Sequence, residues 1–354
     1  MKAFAAALLS LLMVLAVGCS AEEPSMEQTN GSAPETGWTD DEVTFDSDGL
    51  TIHGTYRHLA DDQPGPAALL ISESGQTDRN GDNVVAGPVG NMRQLAEYLS
   101  DHGIASLRYD KIGTGDTGLG PYADRPRDVG AAVYTAGAKA AVRFLTEQAG
   151  TDKARVSVYA LGEGTTHAMA LATSTDPGAP LVHSLVLLQP LTGRYLDLIT
   201  NRVRADNAAQ LKAGSKTQEE ADSVLAAWLH AVEQVRKDGT LPPGQLPDGL
   251  SAILNPGNVK AVVEQDAIDP LALAASVPAG TPVLLTCSDS DGQANCADVA
   301  PLAAALEHTR LTLVKLKGVN HVLRDDPSDN VANYAKQDPL SAQLTEPLGR
   351  FIAE

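Results

Sequence analysis

The stretch Arg155-Val-Ser-Val-Tyr-Ala-Leu-Gly-Glu-Gly164, continued by Thr165-Thr-His-Ala-Met-Ala-Leu-Ala-Thr173, changes its hydrophobic period halfway. Val156 to Leu161 alternates and is rich in β-formers, which predicts a buried strand, and Thr165 to Thr173 continues with a helical pattern. Between them stand Ala160 and Gly164, the small residues that a sharp strand-to-helix turn requires. In a G-x-S-x-G turn of this kind the central serine is held in a strained conformation with its oxygen presented to substrate. Here the central position is Gly162, which has no Cβ and tolerates that conformation at little cost. The turn is therefore predicted to form with its hydroxyl missing.

The order of the remaining chemistry fits the same layout, because in such proteins the acid and then the base follow the nucleophile along the chain. Pro282-Val-Leu-Leu-Thr-Cys287 reads as a buried strand and Ser288-Asp-Ser-Asp-Gly292 as the turn after it, with Asp291 preferred to Asp289 as the acid. Leu311 to Lys317 reads as a further strand, and the loop Gly318-Val-Asn-His-Val-Leu323 places His321 where it can reach the turn at Gly162.

These stretches, with two others, resemble the α/β-hydrolases of the bacterial esterase and serine-aminopeptidase-like branch. Leu70-Ile-Ser-Glu-Ser-Gly-Gln-Thr-Asp-Arg-Asn-Gly-Asp-Asn83 is similar to that branch's oxyanion loop, G-S-G-P-T-D-R-D-G-N, and Ser106-Leu-Arg-Tyr-Asp-Lys-Ile-Gly-Thr-Gly115 to its R-Y-D-K-R-G-x-G segment. The likeness runs from about Val43 to Phe351. It implies a mostly parallel eight-stranded sheet covered by helices on both faces, with a helical lid. It also implies Asp291 and His321 as acid and base, and an oxyanion hole made by the backbone N–H groups of Glu163 and of Ser74 or Gly75.

The departures concentrate at the reacting centre. The branch has Gly-His-Ser-Glu-Gly at the turn, whereas this chain has Ala160-Leu161-Gly162-Glu163-Gly164, and the first Gly of the oxyanion loop is Glu73. A carboxylate near a developing oxyanion opposes it, since such holes work by aiming donors at growing negative charge. Glu73 either does this or turns its side chain to solvent. Without a serine no acyl-enzyme can form at residue 162, and the neighbouring Thr165 and Thr166 are carried away by the helix. The expected protein is thus an impaired hydrolase-like protein that binds a ligand or a partner. The alternative is an acyl hydrolase using another nucleophile or water activated by His321. On this reading Gly162→Ser alone should restore reactivity toward fluorophosphonates.

Strand and helix patterns alternate along the body, as a parallel sheet covered on both faces requires. A hairpin is predicted around Asp48-Gly49. About 90 residues separate the strand ending near Leu188 from that starting at Pro282. This excess predicts a lid over about 190–280, with helices at Tyr195 to Ala213 and Thr217 to Lys237. The stripe Leu225, Trp228, Leu229 and Val232 on the second lid helix packs in a core or lines an apolar pocket. Asp110 and Arg108 are expected to hold the loop beside the site. His53, His167, His183 and His230 lack ligand spacing, so no metal and no cofactor are expected.

At the N-terminus, Lys2 precedes the apolar run Ala3 to Val17, a length that suits a signal peptide and falls short of a membrane span. Leu15-Ala-Val-Gly-Cys19 resembles a lipobox, with Cys19 as the lipidated residue. Residues 1–18 are expected to be removed, 19–42 to form a disordered acidic tether and 43–354 to fold, giving a lipid-anchored protein outside the cytoplasm. The formal charge of −19 becomes −20 once Lys2 is lost. That balance argues against nucleic-acid binding and makes the lipid anchor the sole expected membrane contact. With Cys19 lipidated, Cys287 and Cys296 remain as a pair in an oxidising compartment, where a disulfide would close the loop carrying Asp291.

Overall fold

The computed structural model describes residues 37–354 except 61 and 62, so the leader, Cys19 and the tether up to residue 36 lie outside the described residues. In chain order the elements are β1 (Trp38–Ser47), β2 (Leu50–Leu59), β3 (Gly65–Ile71), α1 (Asn91–Asp101), β4 (Ala105–Tyr109), α2 (Ala131–Glu147), β5 (Thr151–Leu161), α3 (Gly164–Ala172) and β6 (Ser184–Leu188). They continue with α4 (Tyr195–Lys212), α5 (Gln218–Asp238), α6 (Val259–Ala267), α7 (Pro270–Ser276), β7 (Pro282–Ser288), α8 (Cys296–Ala305), β8 (Arg310–Leu316), α9 (Val331–Tyr334) and α10 (Ala342–Ala353). The tether was expected to reach residue 42, but Trp38 to Glu42 already pair with Leu59 to Thr55 of the neighbouring strand. Trp38, Val43 and Phe45 draw this strand into the sheet by packing on its core.

The eight strands form one sheet in the order β1-β2-β4-β3-β5-β6-β7-β8. The β1–β2 and β2–β4 pairs are antiparallel and all the others are parallel. Its central strands β3, β4, β6 and β7 are buried along almost all of their length, because both faces are covered. In β3, Leu69 and Ile71 point into the core shared with α2, α3 and α8, through Val142, Met169 and Leu302. Ala68 and Leu70 point to the opposite core, where Leu95 and Leu99 of α1 meet Leu344 and Leu348 of α10. Alternation of side chains along one strand thus supplies both layers.

The lid is a small core of its own. Its second helix, α5, starts with a capping box, Thr217 Oγ1 accepting from the Glu220 N–H and the Glu220 carboxylate from that of Thr217, which satisfies free N–H groups of the first turn. Trp228 is wholly buried and donates its indole N–H to Thr200 Oγ1 of α4 at 2.9 Å. Asp266 of α6 is buried and accepts from Arg194 at 2.9 Å and Arg236 at 2.7 Å, tying three parts of the lid together. Trp228 and Val232 belong to this core while Leu229 is 39% exposed. The stripe on α5 is therefore packing rather than a pocket wall.

Candidate active site

The turn after β5 forms as its sequence predicts. Gly162 has φ +54°, its N–H donates to Leu188 O of β6 at 3.0 Å, and its carbonyl accepts from Thr165 N at 3.1 Å as α3 begins. Gly164 is required by close packing, since a Cβ there would lie 2.8 Å from Ile71 O and 2.9 Å from Ser72 O. Thr165 Oγ1 donates to Gly162 O at 2.6 Å and Thr166 Oγ1 to Glu163 O at 2.8 Å. Both hydroxyls are thereby turned into the helix.

Asp291 and His321, expected as acid and base, lie in contact. Asp291 Oδ2 lies 2.8 Å from His321 Nδ1. Its other oxygen accepts from Gln293 N at 2.7 Å and Ala294 N at 3.1 Å, so the turn that carries it also orients it. The rejected candidate Asp289 accepts from Gly318 N at 2.7 Å instead and braces the histidine loop. A Cys287–Cys296 disulfide, with Cα atoms 4.9 Å apart, closes the Asp291 turn. His321 is fixed further by its own N–H, which donates to Asp329 Oδ1 at 2.9 Å.

Opposite this pair the structure departs from any serine-dependent site. Glu73, at the end of β3, turns inward. Its Oε2 is 2.9 Å from His321 Nε2 and only 1.4 Å from where a Cβ on residue 162 would lie. That separation is no longer than a carbon–oxygen bond. An oxygen of Glu73 therefore takes up the space of the absent serine side chain. Its partner Oε1 accepts from Ser74 N at 2.6 Å and from Glu163 N at 3.4 Å. These are two of the expected oxyanion-hole donors, while Gly75 lines the adjoining cavity. One carboxylate thus fills both the nucleophile position and the hole.

Charge follows from this geometry. Burial opposes ionisation of Glu73, but the hydrogen bond and charge of His321, with the Ser74 amide, hold its carboxyl at about 2. Burial likewise opposes protonation of His321, and the hydrogen bonds to Asp291 and Glu73 outweigh it, raising its pKa well above 6.5. The result is an imidazolium clamped between two carboxylates. Such a ring has no lone pair with which to accept a proton. Behind it, buried Lys111 donates to Ser72 Oγ at 2.9 Å and Ser72 O at 3.3 Å, and also to Glu73 O, so the backbone on either side of Glu73 is pinned. Burial lowers Lys111 to about 8 against the pull of Glu163 and Glu73, and burial raises Glu163 to about 7.

The rest of the loop is anchored by the segment after β4. Asp110 accepts from Arg79 N at 2.8 Å, Arg79 Nε at 3.1 Å and Asp116 N at 2.9 Å. Arg108 donates to Asn80 Oδ1 at 3.1 Å. Both residues hold the loop as the sequence implied. Sequence reasoning placed Glu73 in the right loop but left its direction open. The signal that decides it is paired, a side chain gained at 73 where residue 162 has lost one. For the same reason Gly162→Ser alone is not the restoration expected from the sequence, because Glu73 occupies the space that the new side chain needs.

An eight-stranded, mostly parallel sheet with its turn, acid and histidine at the strand ends is a known architecture. Solved structures share it. An esterase of Pyrococcus furiosus, Pf2001, superposes with a TM-score of 0.54 at 15% identity, covering 93% of this chain and 96% of that one. The chain has the α/β-hydrolase fold. DcsB, solved with a substrate analogue, matches with a TM-score of 0.54 at 16% identity over 89% of this chain and 99% of its own. Est1E of Butyrivibrio proteoclasticus gives 0.52 at 14% identity, with 88% and 99% covered. No protein-family profile matches the chain, and no curated protein does. At these identities the likeness is one of fold.

Proposed function

We propose that this α/β-hydrolase-fold protein is closed to serine-type acyl transfer and serves as a small-molecule binding protein, held outside the cytoplasm by lipid on Cys19. The observation that carries the first part is the Glu73 carboxylate, seated where both the nucleophile and the oxyanion of an acyl-transfer reaction would be. An acyl carbon has no attacking hydroxyl here and its carbonyl oxygen has no free hole. Water activation by His321 fails on the same ground, since a ring protonated at both nitrogens is not a base. Support for binding comes from a cavity of about 350 Å³ beside Glu73 and His321, within the size range of small-ligand sites. The anchor is supported by the Leu15 to Cys19 lipobox, and Cys19→Ser should move the protein from the membrane fraction to the soluble one.

The test compares the full chain with two variants in an ester-hydrolysis panel and in fluorophosphonate labelling. The parent and Gly162→Ser should be silent. The double variant Glu73→Gly/Gly162→Ser, which empties the hole as it supplies the oxygen, should label at residue 162. Its ester turnover should exceed the parent's by roughly 10³-fold or more, the scale separating a working triad from its residue-deleted forms. Parent turnover like that of a serine esterase, abolished by His321→Ala, would refute the proposal.

A further inference from the structure

The cavity beside Glu73 is walled by uncharged groups. Among the described residues that line it, Glu73 and His321 alone are charged, and they face each other at 2.9 Å. His321 is held on its other side by Asp291, so a guest of either sign meets no unshared counter-charge. The contrast with the rest of the chain is sharp, since 20% of its residues are Asp, Glu, Lys or Arg and its formal charge is −19. An ionic guest would give up its hydration here without full repayment, a loss that a neutral one largely avoids.

The hydrogen-bonding groups left open are neutral for the most part, and they both donate and accept. Two hydroxyls are committed, Thr77 to Ser74 O at 2.8 Å and Tyr334 to Asp329 at 2.6 Å. The Ser74 hydroxyl and the side-chain amides of Gln76 and Gln293 have no partner among the described residues, and all three residues are exposed. Asn83 Oδ1 accepts from Val85 N at 3.0 Å and Ala86 N at 2.8 Å, which leaves its amide nitrogen as the free end. Glu73 keeps 18% of its side-chain surface open and adds an acceptor. Beside these groups, Val84 and Val85 are 85% and 82% exposed and give the same cavity an apolar rim.

We propose that this cavity binds an uncharged, polyhydroxylated ligand of the saccharide class, its hydroxyls exchanging hydrogen bonds with Glu73, Gln76, Asn83 and Gln293 and its C–H face lying against Val84 and Val85. A hydroxyl donates and accepts, and so does a carboxamide. Neighbouring hydroxyls on one ring therefore donate to the Glu73 carboxylate or an amide oxygen while accepting from an amide nitrogen. An ammonium brings donors alone and a carboxylate acceptors alone, so each leaves half of the set unmet. The volume of about 350 Å³ gives room for a single sugar ring. The inference names a ligand class for the binding reading above and rests on it.

Calorimetric titration of the full chain with methyl glycosides of glucose, galactose and mannose tests it, each compared with its uronate and its protonated 2-amino analogue at matched ionic strength. The best neutral glycoside should bind about tenfold or more tighter than its own charged analogues. Gln293→Ala and Gln76→Ala, both at exposed positions and so compatible with folding as judged by circular dichroism, should each weaken that glycoside by about threefold or more. A charged analogue binding as tightly as its neutral parent, binding indifferent to both variants, or no binding of any of the glycosides by the folded parent would overturn the assignment. Ester turnover by the parent would instead sink the binding reading beneath it, so the two failures are told apart.

Discussion

His321 has two sides, and they are built in opposite ways. On the Asp291 side everything serves the ring as a serine-dependent site would have it, with the acid oriented by two backbone amides and its turn closed by a disulfide. On the Glu73 side the backbone is of the same kind, with the left-handed turn at Gly162 and amides converging on one point, yet the side chains are exchanged. What differs is the sign of the group at that point. The scaffold is carried by the backbone and by small residues, and it forms here with a glycine at 162 and a glutamate facing it. The amides that would await an oxyanion hold a permanent one.

The contrast can be broken most directly at residue 162. Gly162→Ser should cost about 3 kcal/mol of stability, from a side chain in the left-handed region and from expulsion of a buried, hydrogen-bonded carboxylate. Chemical denaturation measures it. If the two sites act as one, adding Glu73→Gly should recover at least about 1 kcal/mol of that loss in a double-mutant cycle. On the other side, Cys287→Ser with Cys296→Ser should cost about 2.5 kcal/mol, the loop-closure value for nine residues, and should leave fluorophosphonate silence unchanged.

Smaller and dependent on pH is Glu73→Gln, expected to cost about 2 kcal/mol near neutrality as a charged hydrogen bond is lost. The folded Glu73 ionises at about 2 rather than 4.5. Its contribution is therefore fully present above 4.5 and is lost as pH falls toward the folded value. His321 has the opposite sense, contributing fully below 6.5 and losing its part as pH rises through its elevated folded value. The gap in melting temperature between parent and Glu73→Gln should be widest between these limits and close on acidification below about 4. A gap that is flat with pH would mean that the side chain is not ionised in the pair. Val85→Ser, on the open rim, should change stability by less than about 0.5 kcal/mol.

Much of the fold was legible in the sequence because local signals agreed with one another. The apolar runs of β3, β5, β6 and β7 and the small residues at Ala160 and Gly164 leave few alternatives for a chain that alternates strands with amphipathic helices. The Asp291–His321 pair was legible for a related reason, since each follows a strand and sits in a turn whose backbone fixes it. Glu73 was not. Whether a glutamate points to solvent or into a hole depends on the volume vacated at a residue 89 positions away, Gly162, and no local pattern carries that. The pocket reading of the α5 stripe failed likewise. A helix records that one face is apolar, and only tertiary structure shows that Trp228 meets Thr200 rather than a ligand.

Protonation of the His321 ring separates a clamped imidazolium from a free base. Nuclear magnetic resonance of selectively ¹⁵N-labelled His321 should show both ring nitrogens protonated at pH 8, each with a downfield N–H proton, and the Nε2 proton should lose that position in Glu73→Gln. A neutral ring at pH 8, well above the ordinary histidine value, or a spectrum indifferent to Glu73→Gln, would contradict the clamped imidazolium.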